Sequence, residues 1–322
     1  MTNKFDNSIR LLLLCLIMCV AGCDKSDPSE FTFEFEAPGS FSSHTEIRAK
    51  QQALLDAYGV HFISNYSDVF THFEWTSYNS LDFIPAGESE ATSVLEALEL
   101  LHTVLDDMPQ SVIEAMPSYV ILADSIAFDC NLVNYENVSD TLFTRQTLMS
   151  YSSTNFVALG AFGPSFRSTD KAHATQLWAA SILVNYLLSL PAEQYPQEFY
   201  DYAIELQGGK GYDANCTGSY FPLSVYPAYN METYGCFDHM FRSLSTYYGY
   251  FMGADGAPYR LAYDTYMTVY IDLACHLSFA LYGTEQQRNY YENHPTAEGA
   301  FTTKQQLALE YAERVLDWNI NI

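Results

Sequence analysis

The stretch Ala172-His173-Ala174-Thr175-Gln176-Leu177-Trp178-Ala179-Ala180-Ser181-Ile182-Leu183-Val184-Asn185-Tyr186-Leu187-Leu188-Ser189-Leu190 carries no charged side chain and stops at Pro191. Apolar residues lie all around its helical circumference, so the pattern predicts a helix buried on every side, ended where proline removes a backbone donor. A membrane span is the competing reading, and His173, Gln176, Ser181, Asn185 and Ser189 argue against it. A helix of this kind needs the rest of the chain wrapped around it, and the rest of the chain has the material. It is 322 residues long, 48% hydrophobic and 16% aromatic, enough for one large domain or two lobes packed together.

Upstream of this helix, strands and helices mingle. Glu46 to Tyr58 reads as a helix ended by Gly59, and Val60-His61-Phe62-Ile63 as a strand. Val94, Leu95, Leu98, Leu101 and Leu105 recur at three- and four-residue spacing within a helix from Ser89 to Asp107. Pro109 and Pro117 bracket a short helix ahead of a strand at Tyr119-Val120-Ile121-Leu122. Further strands are expected around Leu142-Phe143-Thr144 and Phe156-Val157-Ala158-Leu159, with a turn at Ser152 to Asn155. Downstream, residues 207–260 read as a long irregular region broken by a helix from Phe237 to Tyr247. Helices return at Tyr263 to Leu281 and Thr303 to Leu316. The expected class is α+β, with a mixed α/β part over about residues 46–165 and a mainly helical part over about 166–322. No internal repeat or low-complexity tract interrupts it.

The N-terminus has its own signature. Lys4 and Arg10 precede the apolar run Leu11 to Val20, which closes on Val20-Ala21-Gly22-Cys23. Positive charge, a short hydrophobic core, small residues and a cysteine read as a lipoprotein signal peptide over residues 1–22, with lipid carried on Cys23. Residues 23–45 are polar and punctuated by Ser, Pro and Gly, which suits a tether; Phe31-Thr32-Phe33-Glu34-Phe35 within it could alternatively form an edge strand. Acidic Asp24, Asp27 and Glu30 after the cysteine point to the outer membrane or cell surface. Formal charge is −25, and removing residues 1–22, with Lys4, Arg10 and Asp6, leaves the mature chain one unit more negative. Nucleic acid and anionic headgroups are therefore poor partners.

Of seven cysteines, Cys130, Cys216, Cys236 and Cys275 lie beyond the lipidation site. An envelope location permits disulfides, and Cys216 with Cys236 is the best pair, a bridge adding roughly 3 kcal/mol in the chain-entropy account. Free buried thiols remain the alternative, because spacing does not fix pairing.

Several of these segments together resemble a family of zinc metallopeptidase lipoproteins that Gram-negative bacteria encode beside TonB-dependent nutrient-import systems. The residues that carry the resemblance are the lipobox, Leu55-Asp56-Ala57-Tyr58-Gly59-Val60, Val94-Leu95-Glu96-Ala97-Leu98, the Tyr119 to Leu122 strand, and the order of two late helices with Gly249-Tyr250-Phe251 ahead of the second. It spans most of the mature chain, through pattern more than identity, and implies a zincin-like fold. Members of the family carry H-E-x-x-H on a helix, because histidines four apart grip zinc from one face while the glutamate activates its water. By order along the chain the matching helix is Ala172 to Leu190. There Leu177 and Ser181 fall where the two histidines would be, Trp178 at the glutamate, and Val184 at a later histidine. His173 is the only histidine in the segment, Leu177 stands four residues after it, and no H-E-x-x-H occurs anywhere in the chain.

The resemblance also implies an acidic helix that completes the site, matched by Tyr263 to Leu281, whose only acids are Asp264 and Asp272. Asp272 and His276 share a face, and with His239 or Cys275 they would make a relocated metal site; a buried, hydrogen-bonded polar pair is the favoured reading. His239, in Cys236-Phe237-Asp238-His239, reads as structural. Other chemistry is not signalled. There is no G-x-S-x-G and no C-x-x-C, Gly208-Gly209-Lys210-Gly211 has the wrong spacing for a phosphate loop, and Asp106 with Asp107 reads as a solvated helix end rather than a glycosidase pair. Of 26 tyrosines, 18 fall between Tyr195 and Tyr291, which suits either sugar and protein contacts or a Tyr-rich core.

The expectation is thus a lipid-anchored envelope lipoprotein, a catalytically inactive metallopeptidase homologue with no catalytic residue, metal or other cofactor. It would work as a binding or accessory component of a nutrient-import system, with a glycan, peptide or transporter as partner. The alternatives are an active metal-dependent hydrolase with relocated ligands His239, Asp272 and His276, and a purely structural envelope protein.

Overall fold

A computed structural model describes residues 39–66, 80–86, 90–134, 141–152, 157–206, 250–252, 258–260, 266–293 and 299–320. The chain from Pro38 to Ile322 gathers into one compact unit. The signal peptide, Cys23, the Phe31 to Phe35 alternation, Cys216, Cys236, His239, the Phe237 to Tyr247 helix and the Gly208 to Gly211 turn lie outside the described residues.

Helix α1 (Thr45–Tyr58) buries Ile47, Gln51 and Leu54 on one stripe and ends at Gly59, whose φ of 73° is the left-handed conformation glycine adopts without penalty. Gln51 is the unexpected member of that stripe. Its Oε1 accepts from the Ser42 backbone N–H at 2.8 Å, while its Nε2 donates to the Phe62 carbonyl at 2.7 Å and to Ser64 Oγ at 3.0 Å. That buried amide binds the preceding segment to strand β2 (His61–Ile63). Strand β1 (Gly39–Ser40) also pairs antiparallel with β3 (Asn65–Tyr66). Residues 39–44, which fall within the segment expected to be a tether, spend backbone groups on the fold.

Strand β4 (Ser80–Pro85) leads to α2 (Ala91–Asp106), which buries Val94, Ala97, Leu98, Leu101, Val104 and Leu105, and to α3 (Gln110–Ala115), which ends before Pro117. The centre of the sheet is β5 (Tyr119–Asn134), far longer than the four-residue strand expected. Its first part lies parallel to β2, through pairs such as Phe62 with Val120, and parallel to β8 (Val157–Leu159), through pairs such as Ile121 with Ala158. Strand β7 (Ser150–Ser152) runs antiparallel along β8. A strand flanked on both sides and covered on both faces reads as a continuous apolar run, which is why Val120 to Leu122 was visible. Beyond Ala123 the same strand turns antiparallel, between β4 on one side and β6 (Thr141–Leu148) on the other. Asp124 sits at the change: its Oδ1 accepts from the Ser165 N–H at 2.9 Å and its carbonyl from Ser165 Oγ at 2.8 Å.

Helix α4 (Lys171–Ser189) is the expected central helix, started by an Asp170 side chain that accepts from the Ala172 N–H. Every residue from Ala174 to Leu187 is buried. It packs on β7 and β8, on α2 and α3, and most extensively on α6 (Tyr266–Tyr282). The α/β part and the helical part expected as lobes consequently share one core, joined through α4. Among the described residues no helix is long and apolar enough to cross a membrane.

Two helices were not read from the sequence, α5 (Gln197–Leu206) and α7 (Glu285–Glu292). Helix α8 (Ala300–Val315) starts three residues earlier than expected. Within the stretch expected to be irregular, β9 (Tyr250–Met252) pairs with β10 (Pro258–Arg260), and β10 adds to the end of β5 at Val133 and Asn134. Strands this short carry too few alternating residues to register as a pattern.

Candidate functional site

Two places test whether hydrolytic chemistry is housed here: the middle of α4 and the face of α6 that meets α8. On α4, Leu177, Trp178 and Ser181 are each 0% exposed and Val184 is 1% exposed. The Trp178 ring stacks on Phe162 with centroids 4.8 Å apart and lies near-parallel to Phe166 at 6.4 Å, while its Nε1 donates to the Gly160 carbonyl at 3.0 Å. The Leu177 carbonyl accepts from Ser150 Oγ of β7 at 3.4 Å. Ser181 Oγ is buried and has no hydrogen-bond partner among the described residues. Leucine, tryptophan and valine present no lone pair to a cation, and here their surfaces are spent on packing. His173 sits half-buried one turn before Leu177, and burial lowers its pKa below the ordinary histidine value, with the Asp170 carboxylate working the other way.

Of the polar residues of α4 that spoke against a membrane span, Gln176 is used to join helices in the interior. Gln176 Nε2 donates to the Tyr282 carbonyl at 3.0 Å and to Gln287 Oε1 at 2.8 Å, and the Gln176 carbonyl accepts from Ser278 Oγ of α6 at 2.6 Å. Gln287 in turn closes a capping box with Thr284 at the start of α7. These bonds fix α4 against α6 and α7 without charge.

On α6 the structure brings Asp272 and His276 together, as their four-residue spacing predicts, with His276 Nε2 3.8 Å from Asp272 Oδ1. The partner that the sequence reading missed is Lys304 of α8. Its Nζ lies 2.6 Å from Asp272 Oδ2, with both side chains buried, and over the Phe199 ring of α5 at 5.7 Å. His276 is held by Gln305, whose Nε2 donates to the His276 carbonyl at 3.0 Å and whose Oε1 lies 3.3 Å from His276 Nδ1, and by an edge contact with Phe199. The Asp272 carboxylate thus already faces a cation belonging to the chain. Neighbouring Cys275 is a buried thiol. Among the described residues no group of three or more His, Cys, Asp or Glu side chains could hold a metal ion. A signal for Lys304 did exist: Asp272 is an acid in an otherwise apolar helix, and a buried carboxylate calls for a positive partner somewhere.

The acid pair at the end of α2 also makes contacts that join elements of the fold. Asp106 Oδ1 accepts from the Tyr58 hydroxyl at 2.6 Å, and Asp107 Oδ2 from the Tyr282 hydroxyl at 3.0 Å. Burial, followed by the facing carboxylate, pushes both phenols above the ordinary tyrosine range. The two carboxylates tie α1 and α6 to the same helix end. Of the tyrosine-rich stretch, Tyr270 and Tyr291 are core residues and Tyr290 is 52% exposed, while most of residues 212–250 lies outside the described residues. The chain matches no protein-family model, no curated protein and no solved structure.

Proposed function

We propose that this protein is a lipid-anchored lipoprotein of the cell envelope. Its folded part would be a zincin-like scaffold that performs no zinc hydrolysis and serves as a binding or accessory component of a nutrient-import system. Attachment at Cys23 rests on the order of charge, apolar run and small residues in the first 23 positions. The zincin-like assignment rests on the resemblance. It is supported by a mixed sheet with parallel β2, β5 and β8, antiparallel β7 beside them, and the long helix α4 laid against β7 and β8.

The observation that carries the loss of hydrolysis is the middle of α4. The positions the resemblance assigns to zinc ligands and base are held by Leu177, Trp178, Ser181 and Val184, and all four are packed into the core. Relocated ligands on α6 find less support, because Lys304 occupies the Asp272 carboxylate. The binding surface is sought in the tyrosine-rich residues 212–250, with a glycan, peptide or transporter as its partner. Purified mature protein is expected to hold well under one zinc per chain by elemental analysis and to show no chelator-sensitive peptidase activity. One tightly held zinc per chain overturns the reading. Radiolabelled palmitate incorporated by the wild type and lost in Cys23→Ser checks the anchor separately.

A further inference from the structure

We draw no further inference here: the strongest candidate, the buried Asp272, His276 and Lys304 cluster between α6 and α8, belongs to the site already described.

Discussion

The middle of α4 and the α6–α8 contact are both buried, both near-fully excluded from water, and built on opposite principles. Around Trp178 the interior is filled by shape: rings stack, buried apolar side chains surround them, and one indole N–H finds one carbonyl. Around Lys304 it is filled by charge, with an ammonium and a carboxylate that each need the other. Removing part of an apolar surface costs what that surface contributed plus the void left behind. Removing one member of an ion pair leaves the other member buried without compensation, which costs more than the pair itself contributed. The two regions should therefore fail differently when changed.

The largest effect is expected at the ion pair. Lys304→Met keeps length and bulk but strands the Asp272 carboxylate, and should destabilise the protein by about 3–5 kcal/mol in urea unfolding. Asp272→Leu combined with Lys304→Met removes both charges and should recover most of that loss. A double variant no more stable than the single one would show that Lys304 matters for something other than neutralising Asp272, and the contrast between the regions would collapse.

At the packed region, Trp178→Phe preserves an aromatic ring for Phe162 but removes the donor to the Gly160 carbonyl. The expected cost is about 1–3 kcal/mol, the range for a buried polar group left unsatisfied. A loss near zero would mean that the carbonyl finds another partner and that stacking alone holds the ring. Ser181→Ala should move the other way. The hydroxyl is buried with no partner among the described residues and serine is a poorer helix former than alanine, so the variant should be more stable by up to about 1 kcal/mol. A destabilised Ser181→Ala would point to a role for that hydroxyl and would reopen the question of what α4 is for.

The same contrast explains what could be read from the sequence. Apolar packing writes itself into the residue pattern, so α1, α2 and α4 were visible, with Gly59, Pro109 and Pro191 following their ends. Charge pairing between distant segments leaves no periodic trace. Lys304 lies 32 residues from Asp272, on a helix whose other charged residues make it look solvated, and a lysine is seldom fully buried. Gln51 escaped for the same reason, since a lone glutamine on an apolar stripe does not announce that it will bridge Ser42, Phe62 and Ser64. The continuation of β5 past Leu122 was hidden by Asp124 and Ser125, which break the apolar run although the backbone stays extended. At α7 a signal was present and unread: Thr284 followed three residues later by Gln287 is a helix-start signature. The proposed metal-free character of α4 needed only residue identities, whereas the closure of the α6 pair required a partner that only the fold could supply.

The smallest expected effect lies at the entrance of the packed region, where His173 is the one histidine on α4. Burial holds its pKa below the value of 6.5 for a free histidine, so the folded protein binds its proton less readily than the unfolded chain does. Stability from this residue is therefore complete above pH 6.5 and declines as pH falls toward the lowered folded-state pKa, because protonation then favours the unfolded chain. His173→Gln occupies similar volume and cannot take up the charge. Subtracting its stability profile from that of the wild type should leave a difference that is flat above pH 6.5 and tilts in favour of the variant below it. Asp170→Asn should steepen the same tilt in the wild-type background, since the carboxylate at the helix start is what partly supports the protonated ring. A difference profile flat across the whole acid range would mean that water reaches the ring freely, and that the dry interior of α4 begins at Ala174 rather than one residue earlier.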